Sequence, residues 1–256
     1  METTKNRTER ARRPEPPRRT CGGDHGVKSE LLLAIPDREY SLLRPHLEYV
    51  DLPHHHILQE PGQKIEFAYF LNSGMASLVI LTSDGKSVEV AIVGKEGMVG
   101  TPLAVGLDRG PYRAVVQITG SGCRIKSELL AETLQRAPEL RLILNRYVLI
   151  QGLQLAQIAA CNRLHEIEQR LARWLLMCQD RVESDILLVT HDFLAQMLGT
   201  GRPSVSLAAG TLQRSGMIEN LRGRVRIVNR TDLENAACEC YRALKQFNGS
   251  LGIRYT

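Results

Sequence analysis

Long apolar runs are absent from this sequence. None of its 256 residues lies in a run that approaches the roughly 18 apolar residues of a membrane-spanning helix. No apolar core follows the arginine pairs near the N-terminus, Arg12-Arg13 and Arg18-Arg19, so neither a secretory signal nor a twin-arginine export signal is recognised. We therefore expect a cytoplasmic location and no membrane partner.

Cysteine is too scarce for a disulfide scaffold. Six cysteines occur, and no two of them have C-x-x-C spacing, which argues against a zinc ribbon or a thioredoxin-like site. We predict that Cys238 and Cys240 are buried or idle thiols and expect no metal site. Cys161 and Cys178 are also expected to fill small apolar spaces, with a redox role for them left open.

Candidate catalytic and metal-binding motifs are equally few. Three adjacent histidines, His54, His55 and His56, point to alternate sides of an extended segment and so cannot all reach one ion. We expect a solvated loop before a strand there and leave the role of these histidines open. No G-x-S-x-G elbow occurs. An enzyme and a stand-alone nucleotide-binding module are the alternative classes. A hydrolase would need a nucleophile held by a base and an orienting acid, and the module would not need the segment 190–230.

Positive charge exceeds negative charge, with 33 Lys and Arg against 28 Asp and Glu and a pI of about 9.0. Much of the excess lies in residues 1–23, which hold seven basic residues, three glutamates and three prolines. Such a segment cannot bury much apolar surface, so we predict a disordered basic tail over residues 1–27. The overall charge weakly favours an anionic partner.

The rest of the N-terminal half is rich in Val, Ile and Gly. We predict an amphipathic helix over 28–47 and short strands over 50–126. Asn72-Ser73-Gly74 predicts one hairpin, and Asp84-Gly85 predicts a second. This density of strands and glycine turns is typical of a compact antiparallel barrel or sandwich, which we assign to residues 28–137.

Residues 138–181 change to a helical period. Gly152 is the only glycine, and no proline follows Pro138, so one helix of about forty residues is predicted, roughly 60 Å long. Its apolar stripe is longer than a small barrel could cover, which predicts a parallel helix from a second copy of the chain and hence a homodimer. The alternative is a stripe that packs only on the β-domain. Its predicted members are Leu149, Leu153, Ala156, Ala160, Leu164, Ile167, Leu171 and Leu175.

The segment 182–256 predicts a two-helix unit with a short turn. Counting His191 as position 1, Ala195 is at position 5, Gly199 at 9 and Val205 at 15. A small Ala195 lets the helices cross closely, Gly199 takes the left-handed conformation that ends a helix, and Val205 fills the wedge between them. This spacing predicts a helix-turn-helix whose second helix enters a DNA major groove.

The recognition helix is placed at about 202–215, with Thr190 as N-cap of the preceding helix. Arg202 can donate two hydrogen bonds to a guanine, and Pro203 suits the first helical turn. A basic hairpin follows and adds the wing of a winged helix-turn-helix, with two arginines suited to phosphate. The residues predicted to contact DNA are Thr200, Arg202, Pro203, Ser204, Ser206, Arg222 and Arg224.

In their order, these parts resemble the Crp/Fnr superfamily of transcription regulators over about residues 30–235. The resemblance rests on EPGQKIEFAYFLNSGMASL and EVAIVGKEGMVG in the β-region, NRLHEIEQRLARWLLM in the long helix and LAQMLGTGRPSVSLAAGTLQRSGMI in the winged motif. It implies an α+β fold with an N-terminal antiparallel β-roll sensor at 28–137, a dimerisation helix at 138–181 and a C-terminal winged helix-turn-helix at 182–256. It also implies a homodimer on a near-palindromic double-stranded DNA operator, an unknown small-molecule effector and RNA polymerase as a further partner.

The resemblance also places an effector pocket at Gly100, Thr101, Arg113 and Leu155. Cyclic-AMP-binding members have a Gly-Glu pair where this chain has Gly100-Thr101, and an Arg-Ser pair where it has Arg113-Ala114. Leu155-Ala156 stands where they have a base-contacting Thr-Ser pair. We therefore expect no cyclic-AMP binding. Iron–sulfur members need several N-terminal cysteines, of which only Cys21 is present, and no residue identifies a haem ligand, so no cofactor is predicted.

Overall fold

The structure, a computed structural model, describes residues 19–249, so most of the predicted basic tail and residues 250–256 lie outside the described part. The strands are β1 Thr20–Cys21, β2 His25–Gly26, β3 Glu48–Leu52, β4 Ile57–Gln59, β5 Phe67–Leu81, β6 Ser87–Val93, β7 Met98–Val99, β8 Arg113–Lys126, β9 Ile186–Leu187, β10 Ile218–Leu221 and β11 Arg224–Ile227. The helices are α1 Glu30–Ala34, α2 Asp37–Leu43, α3 Ser127–Arg136, α4 Pro138–Leu164, α5 Ile167–Val182, α6 His191–Met197, α7 Arg202–Arg214, α8 Arg230–Ala236 and α9 Cys240–Gly249.

The last nine residues of the predicted disordered tail are ordered, so that prediction was wrong for them. They form the β1–β2 hairpin, and Cys21 forms a buried disulfide with Cys123 of β8. Arg19 donates hydrogen bonds to the carbonyls of Leu32 and Ile35 at the end of α1. Because carbonyls at a helix end lack partners within the helix, Arg19 caps it. A cystine and a capping arginine fix a segment with little apolar surface.

The predicted helix over 28–47 is broken at Pro36 into α1, α2 and a 3-10 turn at Arg44–His46. Proline lacks an N–H group and pushes the preceding residue out of the helical region. Ile35 accordingly has φ −71° and ψ 140°.

The N-terminal sheet is antiparallel, as predicted, with strand order β3-β8-β5-β6; β4 pairs with β8, and β7 pairs with β5. The hairpin predicted at Asp84-Gly85 is confirmed, because Leu81 pairs with Ser87 across that turn. Gly85 has φ +80°, which glycine adopts without the penalty that a side chain would bring.

The hairpin predicted at Asn72-Ser73-Gly74 does not form, and the chain runs straight on as the 15-residue strand β5. The pairing with β8 shifts register at this point, so the segment is a bulge that exchanges the two faces of the strand. Ala68 and Phe70 face a core under α1–α4 before the bulge. After it, residues of the same parity, such as Ala76, lie in the core on the other face. Glycine is needed at 74, where φ is +77° and a Cβ would lie 2.5 Å from the Ile118 carbonyl oxygen.

The predicted forty-residue helix is two helices with a break at His165 and Glu166. The first, α4, has 27 residues and a length of about 40 Å. His165 is extended, and Glu166 begins α5 as an N-cap in a reciprocal capping box with Gln169. A capping box satisfies N–H groups that a helix start leaves open, so this local signal overrides the continuous apolar period.

The C-terminal part packs α5 to α9 with a three-stranded sheet of order β10-β11-β9. Its core contains Trp174 of α5, the apolar face of the two-helix unit, and Met75 and Ile92 of the N-terminal sheet. The two parts therefore share one core. No helix in the described part of the chain combines the length and the apolarity that crossing a membrane requires.

Candidate nucleic-acid interface

The two-helix unit has the geometry that the spacing predicts. Thr190 caps α6, its hydroxyl oxygen accepting a hydrogen bond from the Phe193 N–H at 3.2 Å. Gly199 in the turn has φ +59°, and Pro203 lies in the first turn of α7. Val205, together with Leu194, Leu198 and Leu212, is buried between the helices. These features confirm that α6 and α7 form the predicted helix-turn-helix.

The outer face of α7 is open to solvent. Arg202, Pro203, Ser206 and Leu207 are exposed, whereas Ser204 and Thr200 are half-buried. The N-terminal end of this helix therefore presents a cation and backbone N–H groups, which suit the edge of a base and a phosphate respectively. Arg202 Nε lies 3.4 Å from Asp192 Oδ1 at the start of α6, a contact that sequence reasoning missed.

The predicted basic wing is the β10–β11 hairpin, in which Leu221 pairs with Arg224. Arg222 and Arg224 are exposed, and neither has a carboxylate within 4 Å among residues 19–249. Arg226 is different because it pairs with Glu219 at 2.9 Å. The wing thus offers two cations that no acidic group of the described chain neutralises.

His191 joins the recognition helix to the wing. The sequence assigns no role to this residue beyond position 1 of the two-helix unit. Its Nδ1 lies 3.0 Å from the Ser206 hydroxyl, and its Nε2 lies 3.3 Å from Asn220 Oδ1 on β10. The Asn220 amide also donates to the Ala209 carbonyl in α7 at 3.2 Å. Arg202 and Arg224 line one groove beside this bridge, so helix and wing form one surface.

The two-helix unit also contacts the N-terminal sheet. Gln196 donates a hydrogen bond to the Ser87 hydroxyl at 2.6 Å, and a Cβ on Gly199 would lie 3.0 Å from Val88 Cγ2. Next to Val88, Glu89 of β6 accepts hydrogen bonds from Nε1 of Trp174 in α5 at 2.6 Å and from the Ser77 hydroxyl in β5. Burial raises the pKa of Glu89 to about 7. None of these contacts was predicted.

The four predicted effector residues fall in two places. Gly100 starts a 3-10 helix, and Thr101 is buried with its hydroxyl donating to Gln151 Oε1 of α4 at 2.8 Å. Leu155, one turn further along α4, packs on the sheet core. Arg113 instead donates to Glu60 Oε2 at 2.9 Å.

Arg113 lines a separate groove, between the sheet and α6, with His55, Phe193 and Gln196. Gly100, Thr101 and Leu155 are not part of the lining of that groove. The structure therefore brings Thr101 close to α4, and the Thr101 hydroxyl also lies 3.2 Å from that of Tyr112, the residue before Arg113.

One face of α4 forms an exposed apolar stripe. Leu149 is 66% exposed, Leu153 44% and Leu164 73%, and Ala156 and Ala160 are exposed with them. Leu142 continues the face towards the N-terminus. The predicted stripe is corrected at its C-terminal end: after the break, Leu171 and Leu175 are buried in the C-terminal core and Ile167 packs against it.

Two predictions on possible ligand residues have different outcomes. His54, His55 and His56 are exposed and precede β4, so the solvated loop before a strand is confirmed. The expectation of no metal site, by contrast, overlooked a group of four potential metal ligands in the described part of the chain. These are Cys161, His165, Cys238 and Cys240. The i, i+4 spacing of Cys161 and His165 was the available signal.

Comparison with known proteins supports this architecture. Residues 169–236 match the family model of the Crp-like helix-turn-helix domain, and no curated protein matches the chain. FixK2 from Bradyrhizobium japonicum is similar in structure, with a TM-score of 0.65 and 16% identity over 75% of this chain and 98% of that one. The c-di-GMP-responsive global regulator CLP of Xanthomonas campestris has a TM-score of 0.63 and 18% sequence identity, over 75% of this chain and 99% of that one. A CRP-family transcriptional regulator from Thermus thermophilus has a TM-score of 0.60 and 22% sequence identity, over 73% of this chain and 96% of that one.

The antiparallel sheet, the long helix and the winged two-helix unit together define the fold of Crp/Fnr-type transcriptional regulators. Within it, residues 169–236 form a Crp-like helix-turn-helix domain. Solved proteins that share this fold include transcriptional regulators of the Crp/Fnr family.

Proposed function

We propose that the chain is a sequence-specific DNA-binding transcriptional regulator of the Crp/Fnr family. The observation that carries this proposal is the single surface formed by the exposed N-terminal end of α7 and the cationic wing, held together by His191. Neither an enzyme nor a nucleotide-binding module would need this surface. We place the regulator in the cytoplasm, with RNA polymerase as a further partner.

The active form in this proposal is a homodimer through the exposed stripe on α4. An apolar face of this length on a helix is favourable only when another apolar surface covers it. A two-fold pair of chains would present two recognition helices to half-sites about one DNA turn apart, roughly 34 Å. The operator is therefore a near-palindrome.

Within the interface, we assign base reading to Arg202 and phosphate binding to the wing. One bidentate contact from arginine to guanine contributes about 1–3 kcal/mol of discrimination. Asp192 holds the Arg202 side chain before DNA arrives, because the two lie within ion-pair distance. Thr200, Ser204 and Ser206 are assigned to phosphate or base contacts at the helix end, and Pro203 to the same surface.

The test compares Arg202→Ala with Arg222→Ala on a binding site selected from random DNA. Arg202→Ala is expected to flatten the preference at one base pair in each half-site. Arg222→Ala is expected to weaken binding to all sequences alike and to reduce the salt slope by about one for each phosphate that the variant no longer neutralises. Titrations on point-mutated operators at several salt concentrations measure both effects.

Arg38→Ala is the matched control, since it removes the same charge from an exposed helix position in the N-terminal part of the chain. It should leave affinity and salt slope unchanged. Equal loss of affinity on every operator for Arg202→Ala would show that Arg202 binds phosphate and does not read a base. Failure of the unmodified protein to retard DNA of any sequence at low salt would overturn the proposed function.

The N-terminal sheet is assigned the role of a sensor for an effector other than cyclic AMP. A nucleotide phosphate at Arg113 would have to displace Glu60, and Thr101 is already bonded to Gln151. We therefore predict that cyclic AMP gives no saturable heat in calorimetry and does not change DNA affinity. Tight cyclic-AMP binding would contradict this prediction.

A further inference from the structure

Three cysteines and one histidine converge where α4, α5 and α9 meet. Cys161 lies in the last turn of α4, and His165 directly follows that helix. Cys240 is the first residue of α9, and Cys238 precedes that helix by two residues. One sulfur or ring nitrogen atom from each of the four lies within 4.8 Å of every other. The sulfurs of Cys161 and Cys238 are 3.5 Å apart, as are His165 Nδ1 and the Cys240 sulfur.

The two separations of 3.5 Å fit a single tetrahedral ion. Zn–S bonds of about 2.3 Å and a Zn–N bond of about 2.0 Å place neighbouring ligand atoms about 3.5–3.8 Å apart in a tetrahedron. The three cysteines are at most 3% exposed, so the ion would be shielded from water. A cluster of several irons has sulfide between its metal ions and would need a wider space between the ligands.

Groups outside the cluster orient its members. His165 Nε2 lies 3.1 Å from Glu239 Oε1, which places the proton on Nε2 and leaves the Nδ1 lone pair facing the cysteines. A histidine bonded to a carboxylate in this way is the usual partner arrangement of a zinc ligand. Gln157 donates a hydrogen bond to the Cys240 sulfur at 3.0 Å, an interaction that favours a thiolate.

The surrounding charge suits an anionic centre. Arg173 is 2% exposed and has no carboxylate within 4 Å among the described residues. The Nε atoms of Arg170 and Arg173 are both buried without a hydrogen-bond partner in that part of the chain. The Arg173 charge lies close enough to interact with both Cys161 and Cys238.

We propose that Cys161, His165, Cys238 and Cys240 bind one Zn²⁺ ion. Three thiols each lose a proton, the neutral histidine loses none, and the resulting centre has a net charge of −1, which Arg173 balances. With four protein ligands the site has no open position, so its role is structural. The ion would fasten the break between α4 and α5 to the C-terminal helix.

The experiment uses the full chain, kept under a phosphine reductant, dialysed against chelator and then titrated with Co²⁺. We expect one equivalent per chain, the charge-transfer absorption of cobalt–thiolate bonds together with the visible bands of a tetrahedral site, and displacement of Co²⁺ by Zn²⁺. Absence of these bands would overturn the proposal. The proposal would also be overturned if mass spectrometry found a disulfide between Cys161 and Cys238 and the protein still bound no metal after that disulfide was reduced.

Two variants avoid the buried sulfurs and therefore leave the fold intact. His165→Ala should weaken Zn²⁺ binding at least tenfold and shift the visible cobalt bands. Glu239→Ala should weaken it about 10–100-fold without changing the ligand set. His56→Ala is the matched control, because its exposed imidazole lies outside the cluster, and this variant should bind metal fully. Unchanged Zn²⁺ affinity in both His165→Ala and Glu239→Ala would overturn the proposed site. DNA binding is measured separately, so either proposal can fail alone.

Discussion

Replacing Leu149 and Leu153 by glutamate is expected to convert the proposed dimer into a monomer of 28.6 kDa. Both side chains lie on the exposed apolar stripe of α4 and contribute nothing to the core of the chain itself. In a parallel helix pair they would face the partner's stripe, where four new carboxylates would be desolvated and would repel one another. Size-exclusion chromatography with light scattering at micromolar concentration measures the change.

The same double variant should lose at least about 100-fold in operator affinity. Binding to one half-site makes the second contact intramolecular only while the two chains are joined, and that advantage is typically 10²–10⁴-fold. Leu107→Glu is the control, since it puts one glutamate on an exposed leucine outside the stripe and should leave the dimer intact. A double variant that stays dimeric would show that the stripe is not the interface.

Glu89→Gln is expected to remove a large pH dependence of stability. Burial raises the pKa of Glu89 from 4.5 to about 7, and hydrogen bonds from Ser77 and Trp174 and the charges of Arg173 and Arg181 only partly offset it. Between these two values the folded state holds a proton that the unfolded chain has lost. Stability therefore falls as pH rises through this window, by roughly 3 kcal/mol.

Denaturant unfolding at pH 5, 6, 7 and 8 measures this effect. The variant should match the parent protein near pH 5 and exceed its stability at pH 8, because the glutamine has no charge to bury. Its amide oxygen accepts from Trp174 Nε1, and its NH2 group donates to the Ser77 hydroxyl, which then acts as the acceptor. Trp174 is the single tryptophan of the chain, so its fluorescence should titrate near pH 7 in the parent only. Glu132→Gln, at an exposed position, is the control. A parent stability that stays flat from pH 5 to 8 would contradict the prediction.

Local signals made the winged motif predictable. Thr190, Gly199 and Pro203 each have one conformational preference, and all three agree with the apolar period around them. The break in the long helix was missed because the period continues through it, although Glu166 and Gln169 have the spacing of a capping box. The sequence predicts a hairpin turn at the β5 bulge because Asn-Ser-Gly is compatible with a turn and with a bulge. Only the pairing of β5 with β8 determines which of the two forms.

The contacts between residues far apart in the chain could not be predicted from the sequence. Glu89 and Trp174 are 85 positions apart, and Cys161 and Cys238 are 77 apart. Their meeting depends on how the C-terminal part packs against the sheet and on the path of α9. Asp192 and His191, which hold Arg202 and the wing, have no motif of their own. Their contacts with Arg202, Ser206 and Asn220 are evident only when the helix-turn-helix has packed against the β10–β11 hairpin.

Strand β5 touches every large core of the molecule, since the bulge lets its residues reach the core under α1–α4, the core inside the sheet and, through Met75, the core of the winged domain. A continuous strand of this kind makes separate melting of the two halves unfavourable, because unpairing either end exposes apolar surface in both. The chain should consequently lose its sheet and its DNA-binding surface in one cooperative transition. By the same linkage, whatever binds the sheet in its folded state holds the distant recognition helix together as well.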